Sequence, residues 1–281
     1  MGKSWLFASG KGGVGKSTVA SCLGIALARL GHRVCIVDAD IGLRDQDAIM
    51  GLENRVVYDI IDVTKGRCTL EQALIPSPLE EKLLLLPAAQ FARAGDLKHE
   101  RFDPVLRKLT ESFDDVLIDC PAGIEKGLRN MLHSKQDGLV LICTPDDVCM
   151  RDVERTAMVL RRRSQPRPLL IVNRLDDDLI RAGEMYTAAV VAQTIDLELL
   201  GELPDDIDAY RALLSHRSPM EFDCELADAV TRVARRMCGE AVPLPGIGTG
   251  RLPWYARLFR FKPDRLSERK QTLSKKGGQS D

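Results

Sequence analysis

Near the N-terminus, Gly10-Lys11-Gly12-Gly13-Val14-Gly15-Lys16-Ser17 combines four glycines, two lysines and a hydroxyl. Glycines permit backbone conformations that a Cβ forbids, so successive N–H groups can turn inward on one phosphate. A helix starting at Lys16 would add its positive N-terminus. The spacing is that of G-x-x-x-x-G-K-[ST], with the required apolar strand before it and helix after it. In that chemistry Gly10 to Gly15, Val14 included, form the cradle. Lys16 pairs with the β- and γ-phosphates, Ser17 ligates Mg²⁺, and Thr18 stands by the α-phosphate.

Phosphoryl transfer also needs carboxylates, because positioning and electrostatics carry most of its catalysis. Asp38-Ala39-Asp40 closes one apolar run, where a carboxylate could hold a metal through water or orient an attacking water. Val116-Leu117-Ile118-Asp119 is a second apolar run ending in an acid, and Asp119 is the second acidic anchor that Mg²⁺ requires. Either aspartate alone would be an ordinary turn or cap residue; the glycine loop gives them their meaning.

These residues need a sheet whose strands end side by side. Apolar runs at Ser4–Ala8, Val34–Asp38, Leu83–Leu86, Val116–Asp119, Leu139–Thr144, Leu169–Asn173 and Leu199–Gly201 read as strands. Helical spacing covers Lys16–Leu30, Phe102–Ser112, Met150–Arg162 and Cys224–Cys238. The alternation predicts an α/β fold, a mostly parallel central sheet flanked by helices.

The chain of 281 residues is 44% apolar and 29% charged, enough for one domain with a sizeable core. Its eight cysteines include no C-x-x-C pair and most lie within apolar runs, which is reduced, cytosolic usage. The N-terminal stretch is too short for a secretory signal, and no apolar run approaches the roughly 20 residues of a membrane span. Residues 251–281 hold nine Lys/Arg against three Asp/Glu, a net of +6; with −1 for the whole chain, residues 1–250 carry −7. That balance argues against a nucleic-acid-binding surface on the folded part, so no specific nucleic acid is expected.

The loop Lys11-Gly12-Gly13-Val14-Gly15-Lys16-Ser17-Thr18, with its early lysine, resembles the deviant Walker A (SIMIBI-type) P-loop NTPases. That family includes MinD, the ParA partition ATPases and the nitrogenase iron protein. Longer strings are similar to the MinD branch in particular: Asp40-Ile41-Gly42-Leu43-Arg44, Ile49 to Asp59, Gln72-Ala73-Leu74, Leu86-Pro87-Ala88-Ala89-Gln90, Asp119 to Glu125 and Arg151-Asp152. The similarity runs from Gly2 to about residue 245.

The resemblance implies an ATPase that uses ATP and Mg²⁺ and forms an ATP-dependent homodimer, with Lys11 reaching the partner's phosphates. It implies Lys11, Lys16 and Asp40 as catalytic residues, Asp40 positioning water and metal. Ser17, Asp40 and Asp119 would be the metal residues, and Asn173, Arg174, Pro204 and Asp205 the base-side ATP contacts. Arg151 and Asp152 would lie on a partner surface for a MinC-like division inhibitor, with a MinE-like activator stimulating turnover. Two departures stand out: Asp45 replaces a usual asparagine, and Asp146-Asp147-Val148 replaces a Glu-Val/Ile-Ser run. Other members of the family suggest two alternatives, a ParA-type DNA-segregation ATPase and a flagellar-number ATPase; the latter usually carries an N-terminal extension absent here.

The expected domain is 1–240, followed by a Pro/Gly linker at 241–250. Residues 251–262 can form a helix with Trp254, Tyr255, Leu258, Phe259 and Phe261 on one side and Arg257 and Arg260 on the other. Such a segment anchors to an anionic membrane surface without crossing it. The expected location is therefore cytoplasmic and peripheral on the inner face of the cell membrane. Residues 263–281 read as a basic, disordered tail.

Overall fold

The computed structural model describes residues 1–248 apart from 42–43, 93, 124–127, 129–130, 134–135 and 162–165. The expected anchor at 251–262 and tail at 263–281 lie outside the described residues.

Eight strands form one sheet: β1 (Lys3–Ser9), β2 (Val34–Asp38), β3 (Ile75–Pro76), β4 (Leu83–Leu86), β5 (Asp115–Asp119), β6 (Gly138–Cys143), β7 (Leu169–Leu175) and β8 (Glu198–Pro204). Their order is β3-β4-β2-β5-β1-β6-β7-β8. Every pairing is parallel except that of β3 with β4. β2, β5 and β6 are buried along their whole length, as expected of parallel strands covered on both faces. The direction of winding reverses beside β1, which lies between β5 and β6. Open parallel sheets form their ligand crevice at such a point, beyond the carboxyl ends of the strands.

The flanking helices are α1 (Lys16–Arg29), α2 (Asp45–Ile49), α3 (Ile60–Thr64), α4 (Leu70–Ala73), α5 (His99–Ser112), α6 (Asp147–Arg161), α7 (Asp177–Ala182), α8 (Ala188–Ile195), α9 (Ile207–Leu214) and α10 (Glu225–Met237). α1 is almost wholly buried and packs against α10 and the sheet. α10 buries Leu226, Ala229, Val230, Val233, Ala234 and Met237, one stripe at helical spacing. It lies close on β8 at Gly201, where an added Cβ would stand 2.4 Å from Val233 Cγ2.

The pattern of apolar runs missed the short strand β3 and, among the described residues, the six helices of eight residues or fewer. Caps hold several of these helices: Asp59 and Thr69 close capping boxes on α3 and α4, and Asp176, Thr187 and Asp206 cap α7, α8 and α9. The stretch read as a linker from residue 241 is tied to the domain through Gly248. Glu202 Oε2 accepts from the N–H groups of Gly246 (2.7 Å) and Ile247 (3.2 Å), and Arg236 donates to the carbonyls of Val242 and Pro243. No helix among the described residues is long and apolar enough to cross a membrane.

Candidate functional site

The parallel register brings the chemistry to one edge. Phe7 and Asp38 both stand opposite Asp119, so β2 and β5 end level and β1 runs two residues beyond them. The glycine loop leaves β1 there. Gly13 (φ 79°) and Gly15 (φ 89°) adopt the left-handed conformation that lets the chain fold back before α1. Gly10 is fixed by crowding: a Cβ would lie 2.4 Å from the backbone carbonyl carbon of Asp152 in α6.

Lys16 turns inward. Its ammonium is buried, forms an ion pair with Asp119, and lies 3.3 Å from Ser17 Oγ. Burial alone would lower its pKa, but the charge and hydrogen bond of Asp119, with Asp40 adding, carry it above the ordinary lysine value. Asp119 also accepts from Gln46 Nε2 (2.7 Å). Asp38 accepts from the N–H groups of Asp40 (3.0 Å) and Gln46 (3.2 Å). Burial, then the charge of Asp119, pushes Asp38 well above the usual carboxylate range. Asp40 is also raised, by burial first; Lys16 opposes the shift, while Asp119 and Asp45 reinforce it.

Asp38, Asp40 and Asp119 are all buried around one buried lysine. Such an excess of hard oxygen donors fits an additional cation. No three His, Cys, Asp or Glu groups among the described residues converge into a complete metal cage. The arrangement suits Mg²⁺, which is usually held by one or two carboxylates and completed by phosphate and water.

A cavity of about 270 Å³ opens on this cluster, lined by Ser9, Gly12, Gly13, Gly15, Lys16, Ser17, Thr18, Asp40, Asp45, Ile49, Ala122 and Arg174. The residue departing from the MinD-like pattern at position 45 is therefore in the cavity wall. Lys11 is exposed on the loop, and its carbonyl accepts from Ser9 Oγ (2.9 Å). Its charge acts on Asp146 across the loop after β6. Arg151 is exposed and Asp152 half-buried on α6, the helix against which Gly10 packs.

The base-side expectations divide. Asn173 is buried, and its Nδ2 donates to Val14 O (2.9 Å), so this side chain props the phosphate loop. A Cβ on Gly15 would meet that nitrogen at 2.4 Å. Arg174, at φ 60°, reaches the cavity wall. Pro204 and Asp205 line a separate cavity of about 560 Å³ with Leu175, Asp176, Arg232 and Gly246–Gly248. This larger space includes no residue of the glycine loop; the smaller one holds the chemistry.

Gln46 was not recognised from sequence. Its Nε2 bridges Ser17 O (2.9 Å) and Asp119, while its Oε1 meets no donor among the described residues. A glutamine six residues after a switch aspartate carries no signal of its own.

A family model described as "ParA: NUBPL iron-transfer P-loop NTPase" matches residues 2–237. The septum site-determining protein MinD of Bacillus subtilis (strain 168) is 40% identical over 248 residues, covering 87% of this chain and 92% of that protein. The chain belongs to the MinD family of cell-division ATPases. MinD in the MinC:MinD complex of Aquifex aeolicus has the same fold, with a TM-score of 0.76 at 32% identity over 86% of this chain and 98% of that one. MinD of Pyrococcus horikoshii OT3, solved with Mg-ADP, matches with a TM-score of 0.74 at 26% identity over 84% and 96% of the two chains. MinD membership agrees with the α/β, P-loop NTPase fold expected from the strand pattern and the glycine loop.

Proposed function

We propose that this MinD-family chain is an ATP-driven membrane switch that positions the division septum. The observation that carries the proposal is the buried Lys16, held between Asp119 and Asp40 at the mouth of a glycine cradle, with a second lysine, Lys11, left exposed on the same loop. ATP binds with its phosphates against Gly10–Gly15, Lys16, Ser17 and Thr18. Ser17, Asp40 and Asp119 hold Mg²⁺, which supplies charge neutralisation between the phosphates. Arg174 lies toward the base and Asn173 keeps the loop in shape beneath it, while a base reaching Pro204 and Asp205 would have to extend from this cavity into the neighbouring one. Lys11 extends to the phosphates of a second copy, so ATP joins two chains. Asp40 orients the attacking water.

Pairing brings two C-terminal segments together. Each is a weak interfacial anchor; joined, they raise membrane avidity by about 10²–10⁴. Trp254, Tyr255, Leu258, Phe259 and Phe261 enter the interface, while Arg257 and Arg260 meet anionic headgroups. Hydrolysis returns monomers to the cytoplasm. The paired form recruits a MinC-like inhibitor to the inner face of the membrane through the surface around Arg151 and Asp152, and a MinE-like activator resets it. The solved MinC:MinD complex of a relative supports that partner class.

Sedimentation velocity with Mg-ATP tests the reading: the intact chain dimerises, Lys16→Ala stays monomeric, and Lys11→Ala binds nucleotide without pairing. Co-sedimentation with anionic vesicles then requires ATP and fails for a chain ending at Gly250. A Lys16→Ala chain that still pairs with ATP overturns the mechanism. ATP-dependent DNA retardation without vesicle binding would instead favour a ParA-type role.

A further inference from the structure

Two thiols with no part in the phosphate site lie beneath the loop that follows β6. Cys143 ends β6 and Cys149 stands in the first turn of α6; both are fully buried and both are free. Each thiol is the leading influence on the charge of the other. Thr144 stitches them together: Cys143 Sγ donates to Thr144 O (3.1 Å), and Thr144 N–H donates to Cys149 Sγ (3.4 Å). Asp146, Asp147 and Val148, in the stretch between them, are exposed.

The two sulfurs are unequal. Cys149 is lowered to about 7, chiefly by the thiol of Cys143 and then, against burial, by Thr144. Cys143 is pushed far upward by the same contact and by burial. Elsewhere burial pushes Cys22 up to about 12 and holds Cys35 and Cys120 higher still. A thiolate beside a protonated thiol is the pairing of an attacking and a resolving cysteine.

We propose that Cys143 and Cys149 form a redox-modification site, in which hydrogen peroxide oxidises Cys149 to a sulfenic acid and Cys143 closes on it as a disulfide. In the first step the Cys149 thiolate attacks one peroxide oxygen; an S–O bond forms, the O–O bond breaks, and hydroxide leaves to become water. In the second, the Cys143 sulfur attacks that of Cys149; the S–S bond forms, the S–O bond breaks, and the oxygen leaves as water with the proton of Cys143. The two thiols lose two electrons and peroxide gains them. Two equivalents of a low-molecular-weight thiol reverse the reaction.

The bond would clamp the loop carrying Asp146. That residue accepts from Cys149 N–H (2.9 Å) and Thr144 Oγ1 (2.6 Å) and lies in the field of Lys11. Oxidation should therefore weaken ATP-dependent pairing, a consequence that rests on the function proposed above.

The full-length reduced chain is treated with hydrogen peroxide, unfolded, alkylated with iodoacetamide and digested with trypsin. The peptide 136–151 holds both cysteines; it should appear unalkylated and two hydrogens lighter, and dithiothreitol should restore alkylation. In Cys143→Ser, dimedone should trap a sulfenic acid on Cys149; in Cys149→Ser, Cys143 should stay reduced. Should either variant fail to fold, the wild-type rate against pH decides, with half-maximal oxidation below the ordinary thiol value, the direction in which Cys149 is shifted. A rate that rises instead as for an ordinary thiol, with a pKa of about 8.5, overturns the proposal. So does full alkylation of the peptide at doses that oxidise other cysteines, or a sulfinate on Cys149 with no S–S bond. Oxidised protein should pair with Mg-ATP at least about fivefold more weakly than reduced protein. Equal pairing removes the coupling to Lys11. Reduced protein that never pairs refutes the ATP-driven dimer and leaves the thiol chemistry to be judged on the peptide.

Discussion

Gln46 joins groups that are far apart in the chain: Ser17 in the first helix and Asp119 at the end of β5 both take its amide hydrogens. Replacing it with leucine leaves a buried oxygen of Asp119 without that donor, at a cost of about 1–3 kcal/mol. Thermal unfolding should show a drop of several degrees in Tm, with Lys16→Arg as a control that keeps the charge. Asp38 makes a second prediction, in pH. Its folded pKa is raised, so the folded state holds that proton more tightly than the unfolded chain does. Its contribution to stability is full below the ordinary carboxylate range and fades as pH rises through the raised value. Acidification from about pH 7 to about pH 5 should therefore stabilise the ligand-free chain more than it stabilises Asp38→Asn, as read by scanning calorimetry. Lysines and aspartates of this site were legible in sequence, because the glycine loop and strand-ending acids carry their chemistry in local order. Gln46 and the propping contact of Asn173 were not, because their partners are brought near only by the sheet.

Short elements escaped the sequence for a related reason. Helices such as α3 and α4 span five and four residues, too few to repeat an apolar period, and depend on capping boxes at Asp59 and Thr69. Long elements were legible: α1 and α10 were expected within a residue or two, and each apolar run read as a strand is one, though β8 extends to Pro204. Where two of them meet, Gly201 makes close contact possible. Gly201→Ala should cost about 1–3 kcal/mol by pressing on Val233, and adding Val233→Ala should recover part of it. A double-mutant cycle in urea should give a coupling of about 0.5–3 kcal/mol; strict additivity would mean that the two positions do not press on one another.

At the scale of the molecule, a parallel sheet reversing its winding beside β1 gathers five strand ends at one edge, and the charge imbalance among them suits a ligand that brings its own cation. The strap of residues 241–248 was the part least legible in sequence, since Pro and Gly signal a turn and a tether alike. Glu202→Ala should release it; limited proteolysis within 241–248 should then speed up about tenfold, a fraction of what two hydrogen bonds to a carboxylate can hold. Glu202 also sets the leash. With Ile247 held by Glu202, seven peptide steps separate the last tethered residue from Trp254, a reach of at most about 25 Å. In the membrane-bound dimer proposed above, two protomers on such short legs would have little freedom to tilt, and the face they offer a partner would keep a nearly constant height above the lipid.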